Sequence, residues 1–150
     1  MILAAAIVSF AAIPNIVLAQ SVTASVSAEV KVEVSDDDKK ITYSGVIIDC
    51  RGLGLQTAAS PVIKSEAGKI IYGDKDLDFD KINEIGMAEY ATSIKDSAAR
   101  AGEHPLIVRA VKVDKLKISP ILSNADAKKV VLANENDNFF KDLRVVFLTD

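Results

Sequence analysis

The sequence predicts a single α+β (or α/β) domain in which two or three helices pack on a mixed sheet. Three runs are apolar at consecutive positions, Val46–Ile48, Leu106–Val108 and Val145–Phe147, as in central strands that are covered on both faces. Other stretches have apolar residues at helical spacing, so strands and helices intersperse. With 150 residues, of which 49% are hydrophobic, the chain can form one domain with a substantial core. We expect residues 41–150 to be that domain.

The first segment is predicted to be a signal peptide at residues 1–19. No charged residue precedes Glu29, and the apolar run ends in Val17-Leu18-Ala19, whose side chains suit the positions that a signal peptidase reads. We expect cleavage after Ala19. A cationic start is missing from this segment, so we expect the natural start to lie upstream. A retained membrane anchor and a buried core helix are the alternatives, because about 20 apolar residues can span a membrane.

Residues 20–40 are predicted to form a strand and an acidic turn. Valine and alanine occupy every second position from Val22 to Val34, which is the period of a strand with one buried face. The following segment, 35–40, contains three successive aspartates. It lacks the alternating ligands, central glycine and final glutamate of an EF-hand loop, so we expect a solvated turn.

The first half of the domain is predicted to contain a strand, a hairpin and a helix. Ile41–Asp49 is the strand, and the hairpin pairs 61–64 with 69–72 around a turn that ends at Gly68. Asp78 suits the cap of a helix that begins at Phe79, since apolar residues recur there at helical spacing. Residues 87–94 are compatible with helix or strand, and a short helix at 97–100 should stop at Gly102.

The second half is predicted to be strand, helix and strand. His104-Pro105 opens a strand that continues through Leu106–Val108 to residues 110–113. Ser123 and Asp126 have the spacing of a capping box, ahead of a helix that ends within 134–138. The last strand covers residues 143–148.

The candidate site follows the first apolar run, where Asp49, Cys50 and Arg51 precede Gly52 and Gly54. A phosphate-binding loop would feed a helix N-terminus, but this segment leads to Pro61 and another strand. The favoured interpretation is a shaped turn in which Arg51 pairs locally and the glycines allow a tight path. Contact of Arg51 with an anion or a partner peptide remains an alternative.

A thiol enzyme is the third hypothesis, since Cys50 and His104 are the only cysteine and histidine and both lie at predicted strand ends. It requires the two side chains to lie within about 4 Å and Cys50 to be exposed. We predict no cofactor and no metal, because one cysteine and one histidine leave too few zinc ligands. The alternating aspartates 74, 76, 78 and 80 lack the glycine and distal glutamate of a calcium loop.

Charge also limits the partners. The net charge is −3 and no stripe of lysine and arginine occurs, which argues against a nucleic-acid surface. Contact with a membrane is expected only through an uncleaved signal segment. We therefore expect an envelope protein or a second copy of this chain as the partner.

Three segments resemble exported bacterial envelope proteins related to the conserved outer-membrane lipoprotein and flagellar assembly protein T group. They are YSGVIIDCRGLGLQTAASPVIKSEAGKIIYG, ARAGEHPLIVRAV and SNADAKKVVLANENDNFFKDLRVVF. The resemblance places Asp49, Arg51, Gly52 and Gly54 in a shared motif and implies an exported, non-catalytic protein of the cell envelope or flagellar base. Two features depart from the group. Cys50 is far from the signal segment, so it does not match the lipidated cysteine, and the chain is one short domain.

These observations predict an exported, periplasmic or envelope-associated protein that is not an enzyme. It would act through protein–protein contacts, with a role in surface or flagellar-base assembly implied by the resemblance. The alternative is a periplasmic module that binds a small ligand or anion at Arg51. A Cys50–His104 enzyme is the less favoured third hypothesis.

Overall fold

Two four-stranded sheets form the framework of residues 40–74 and 76–150, which are the residues described by a computed structural model of the chain. The predicted signal peptide at 1–19 lies outside the described residues, as does all but the last residue of the predicted strand and turn at 20–40. Thr42–Asp150 is one compact unit. In chain order its elements are β1 (Val46–Asp49), β2 (Ile63–Ser65), β3 (Ile70–Tyr72), α1 (Phe79–Ile85), β4 (Glu89–Ala91), α2 (Ile94–Ala101), β5 (Leu106–Arg109), β6 (Lys112–Val113), β7 (Pro120–Leu122), α3 (Asn124–Asp137) and β8 (Val145–Leu148).

The first sheet is entirely parallel and has the strand order β4-β8-β1-β5. Val46 of β1 lies in register with Leu106 of β5 on one side and with Val145 of β8 on the other. The second sheet has the order β3-β2-β7-β6; its central pair is parallel and both outer pairs are antiparallel. The fold is therefore the mixed α+β architecture that the sequence predicts.

The two faces of the parallel sheet have different neighbours. Val46, Ile48 and Phe147 point into the main core, together with Val130 of α3 and Leu122 of the second sheet. The opposite face carries a smaller cluster, in which Ile47, Val146 and Leu148 pack with Ala101 of α2. Strands β1 and β8 are covered on both faces, as their unbroken apolar runs predict.

The same prediction is wrong for Leu106–Val108. Among the described residues, strand β5 is one of the two end strands of the parallel sheet, and its residues alternate between buried and exposed. Helix α2 packs on β8, β4 and β1 and leaves the outer face of β5 uncovered. Ile107 is therefore 44% exposed.

Three predicted boundaries need correction. The first strand begins at Val46 rather than Ile41, because the preceding segment bonds in a different way: the Ser44 amide donates to the His104 carbonyl, and the Ser44 hydroxyl to that of Ala101. Residues 110–113 do not extend β5; the chain crosses to the second sheet, where the Val111 amide donates to the Ile121 carbonyl. The segment at 87–94, whose sequence is compatible with helix or strand, contains the strand β4 and the first residue of α2, so the third boundary to correct is the start of that helix.

The helix starts follow local chemistry. The Asp78 carboxylate accepts hydrogen bonds from the amides of Asp80 and Lys81, and the Ser123 hydroxyl accepts one from the Asp126 amide, so both predicted caps are confirmed. Helix α2 begins at Ile94, three residues earlier than predicted, because Ser93 caps it. Helix α3 runs through 134–137 and ends at the left-handed Asn138. Among the described helices, none has the length and apolar character needed to cross a membrane.

Candidate functional site

The carboxyl ends of β1, β5 and β8 meet at one edge of the parallel sheet, where ligands commonly bind in open α/β sheets. Asp49 and Arg109 end β1 and β5 in register with each other, and Asp150 follows β8. The turn after β1 brings Arg51 and Gly52 to the same place. We call Asp49, Arg51, Gly52, Arg109 and Asp150 the carboxyl-edge cluster.

Asp49 is the centre of this cluster. Its Oδ1 accepts hydrogen bonds from Arg51 Nε at 2.9 Å and from the Arg51 amide at 3.1 Å. Its Oδ2 accepts from Arg51 Nη2 at 2.8 Å and from Arg109 Nη1 at 3.2 Å. Arg109 Nη2 also donates to the Arg51 carbonyl at 3.1 Å. The predicted local pairing of Arg51 is present, and Arg109 extends it to the neighbouring strand.

These contacts lower the pKa of Asp49 to about 2, chiefly through the hydrogen bond from the Arg51 side chain. Partial burial of the Asp49 carboxylate, which is 15% exposed, opposes this effect on the pKa. Because the ordinary pKa is 3.8, the carboxylate is ionised more readily in the folded chain than in the unfolded one. Ionised Asp49 therefore stabilises the fold above that value, and the contribution disappears as the pH falls towards about 2.

We expect Asp49→Asn to lower the free energy of unfolding by about 1 kcal/mol at neutral pH, since solvent screens a pair whose arginines are both largely exposed. The difference from the wild-type chain should shrink as the pH falls from 3.8 towards about 2. Urea unfolding at a series of pH values measures it. Asp142→Asn is a matched control, because Asp142 pairs with Lys81 on the open surface. A difference for Asp49→Asn that stays constant with pH would contradict the assignment.

The glycines shape the turn after β1. Gly52 has φ +82° and Gly54 has φ +73°, a region that side chains with a Cβ rarely adopt. The Leu53 amide donates to the Cys50 carbonyl at 3.1 Å and closes the turn. The Gly52 amide donates to Asp150 instead, and both carboxylate oxygens of Asp150 accept from it at 3.0 Å. The turn predicted from the sequence is present; binding of a ligand at these residues stays a prediction.

The structure does not bring Cys50 and His104 together, so the thiol-enzyme hypothesis is wrong in its geometry. Cys50 follows the carboxyl end of β1, whereas His104 precedes the amino end of β5, which is parallel to β1. About six residues of strand, or roughly 20 Å, separate the two levels. Cys50 is 1% exposed, and burial raises the pKa of its thiol to about 12. It is a protonated core side chain at neutral pH.

Two of the four alternating aspartates lie at the start of α1, and the other two line a groove. Asp78 caps the helix and Asp80 lies in its first turn. Asp74 and Asp76 line a groove of about 330 Å³ with Asn134 and Asn138. Within residues 40–74 and 76–150, no three histidine, cysteine or carboxylate side chains are grouped so that they could hold a metal ion.

A second candidate site lies between the β2–β3 hairpin and helix α3. It is a groove of about 250 Å³, which we call the hairpin–helix groove. Its large apolar side chains are Ile71, Val131 and Leu132, and its charged side chains are Lys69 and Lys128. The lining residues are Ser65, Ala67, Lys69, Ile71, Asn124, Ala127, Lys128, Val131 and Leu132. Arg51 does not line this groove, the groove at Asp74 or a third groove of about 250 Å³ around Leu77 and Phe79.

Sequence reasoning missed Arg109 and Asp150 at the first site and the whole of the second. Arg109 directly follows the apolar run Leu106–Val108, and the parallel pairing of β5 with β1 places it beside Asp49. The hairpin–helix groove joins segments more than 50 residues apart, and nothing in the local patterns marks it.

Residues 45–150 match a protein family described as the second domain of Treponema pallidum Tp0624. The chain belongs to this family. The matched region includes every strand and helix of the two-sheet unit, so both candidate sites of this chain lie within the matched residues. No curated protein matches the chain.

Proposed function

We propose that this chain is a non-enzymatic, exported protein of the cell envelope that binds an extended acidic segment of another envelope protein in the hairpin–helix groove. The observation that carries the proposal is the groove itself, which combines exposed apolar side chains with lysines and has no carboxylate among its lining residues.

The apolar surface of the groove favours a macromolecular partner. Leu132 of α3 lines the groove and is 49% exposed. Removing exposed apolar side chains from water makes the free energy of binding more favourable when a partner covers the groove. Leu132 belongs to the lining of the groove, next to the half-buried Ile71 and Val131, so its exposure is part of one concave apolar surface.

The charges indicate the chemistry of the partner. Lys69 lies next to Ile70 at the start of β3, and Lys128 lies one turn from Val131 and Leu132 on α3. A partner with carboxylates beside its apolar residues would complement both lysines. A basic partner is not favoured, because the two lysines would repel it. A nucleic acid is not favoured either, because it needs a broader cationic surface.

Strand β3 supports binding of an extended segment. It is the end strand of the second sheet in the described order, and it pairs with β2 on one side. A partner strand can add to such an edge through backbone hydrogen bonds and direct alternate side chains into the neighbouring groove. The groove is lined by Ile71 of β3 and by Ser65 of β2, so a segment added to β3 would lie next to it.

Export and envelope association belong to the same proposal. They are supported by the uncharged apolar segment before Glu29 and by the resemblance to exported envelope proteins. A role in flagellar-base or surface assembly rests on that resemblance alone. An enzymatic role is not favoured, because Cys50 is buried and protonated.

The test places a photo-crosslinking amino acid at Leu132 of the full chain, in cells that export it, and maps the crosslinked peptide by mass spectrometry. We expect a crosslink to an acidic segment of one envelope protein. The same amino acid at Leu116, which is exposed between β6 and β7, should not give this product. The double variant Lys69→Glu/Lys128→Glu should reduce the yield at Leu132 several-fold, because it reverses the charge of the groove.

Lys95→Glu/Lys115→Glu is the matched control, with the same charge change at exposed positions outside the lining of the groove. Equal loss of the crosslink in both double variants would contradict charge recognition by the groove. Crosslinks solely to a second copy of this chain would replace the proposed partner by self-association, and equal products from Leu132 and Leu116 would overturn the proposal.

A further inference from the structure

We propose that the carboxyl-edge cluster is a binding site for a carboxylate ligand, in which Asp150 is an internal occupant that the ligand displaces. This site is separate from the hairpin–helix groove, and the inference does not depend on the function proposed for that groove.

The charges of the cluster leave a surplus of one positive charge when Asp150 is set aside. Arg51 and Arg109 are two cations that share the single carboxylate of Asp49. Each oxygen of Asp49 already accepts from two donors, so Asp49 has little capacity left. Asp150 supplies the remaining negative charge and acts electrostatically on Arg51. The side-chain charges of Asp49, Arg51 and Arg109 therefore sum to +1, and one external monoanion in place of the Asp150 side chain makes the sum zero.

The geometry of the contact is that of carboxylate capture by a backbone amide. Both oxygens of Asp150 lie 3.0 Å from the Gly52 nitrogen. Gly52 has φ +82°, and a Cβ built there would meet no atom within 4 Å, so the turn is not enclosed on that side. A charge-assisted bond to a backbone amide next to an arginine is a recurrent way to bind carboxylates.

The internal occupant is weakly held. Asp150 is exposed, and its carboxylate contacts one backbone amide within the described residues. The Arg109 side chain is also 61% exposed, so an incoming ligand can reach its guanidinium while Arg109 holds Asp49 and the Arg51 carbonyl. Because solvent screens such contacts, an external carboxylate has little to overcome when it replaces Asp150.

The single surplus charge selects a monocarboxylate over a phosphate dianion, which would leave the cluster negative. The position agrees with this role, because the cluster lies at the carboxyl ends of three parallel strands, the edge at which open α/β sheets commonly bind ligands. A free organic acid and a carboxylate of a peptide share this chemistry.

The experiment follows the Gly52 amide in ¹H–¹⁵N spectra of the full chain at constant ionic strength. Acetate and a short peptide with a free C-terminal carboxylate are titrated, with acetamide, inorganic phosphate and chloride as comparison probes. In Asp150→Asn we expect a saturable shift of Gly52 with the carboxylates. In the wild-type chain binding should be about two- to fivefold weaker, since Asp150 competes as an exposed ion-pair partner. Tighter binding of the peptide than of acetate would identify a peptide carboxylate as the better ligand, and the reverse would identify a free acid.

Arg109→Gln in the Asp150→Asn background removes the surplus charge and should weaken binding at least about threefold. Asp150→Ser removes the same side-chain carboxylate, so we expect it to give the same affinity for the carboxylates as Asp150→Asn. The Gly54 amide, in the same turn but without a carboxylate contact, serves as the internal control. The proposal is overturned if no variant shows a saturable Gly52 shift, if acetamide or chloride produces the same shift, or if Arg109→Gln leaves the affinity unchanged.

Discussion

Replacing Gly45 by alanine should lower the free energy of unfolding by at least about 3 kcal/mol, which is a large share of the stability of a domain of this size. A Cβ at residue 45 would lie 2.5 Å from the Ala101 carbonyl oxygen and 2.8 Å from that of Arg144. Both neighbours are backbone atoms, so no side chain can rotate away to make room. Helix α2 or the segment that enters β8 would have to shift.

Such a shift would disturb the start of the parallel sheet. The Gly45 carbonyl accepts from the Leu106 amide at 2.8 Å, and the next amide, that of Val46, donates to the Arg144 carbonyl at 2.9 Å. These bonds set the register of β1 with β5 and β8. Displacing Gly45 therefore weakens two strand pairs as well as the packing of α2.

Urea unfolding followed by circular dichroism measures the effect, and Gly54→Ala is the matched control. Gly54 has φ +73° but nothing lies within 4 Å of a Cβ built there, so alanine should cost about 1 kcal/mol through backbone strain alone. Equal destabilisation by the two alanines would show that close backbone approach at Gly45 does not limit stability.

Replacing Arg100 by methionine should lower the free energy of unfolding by about 3 kcal/mol, although the residue is only half-buried. The Arg100 guanidinium donates to the carbonyls of Leu143 at 2.5 Å, Ile85 at 3.1 Å and Gly86 at 2.7 Å. It thus joins the end of α1, helix α2 and the turn before β8. Methionine keeps much of the aliphatic volume but leaves these carbonyl groups without their donor.

Helix α1 should respond most strongly. None of its residues is buried, so it has little hydrophobic packing of its own. Carbonyl groups at a helix C-terminus lack partners within the helix, and an arginine placed there satisfies them and favours the helix dipole. Amide hydrogen exchange should accelerate in α1 of Arg100→Met before it does so in β1.

Arg144→Met is the control for this change. Arg144 is exposed, and its side chain makes no hydrogen bond to the described residues. We expect Arg144→Met to alter stability by less than about 0.5 kcal/mol. Equal free energies of unfolding for Arg100→Met and Arg144→Met would show that the three carbonyl contacts of Arg100 do not stabilise the fold.

Local features of the molecule follow from the sequence. The caps at Asp78 and Ser123 depend on side chains that bond to amides two or three residues away, so short patterns predict them. The same is true of the ion pair between Asp49 and Arg51 and of the turn at Gly52 and Gly54. In each case the partners are near one another in the chain and the choice of conformations is small.

Strand order is not a local property. The runs at β1, β5 and β8 look alike in sequence, yet in the described sheet β5 is an end strand that pairs with β1 alone, and α2 packs on the other three strands. Likewise, the sequence places Cys50 and His104 at strand ends but does not say which ends meet. Parallel pairing separates them, and it brings Arg109 to Asp49 instead.

The sequence by itself determined the α+β class, most of the elements and the shape of the turn after β1, because apolar periodicity and capping chemistry act over a few residues. Tertiary structure alone decided the close approach at Gly45, the carbonyl contacts of Arg100, the meeting of Gly52 with Asp150 and the hairpin–helix groove. Each of these joins residues far apart in the chain, and their meeting depends on strand order and register, which are set by the burial of the whole core rather than by any one segment.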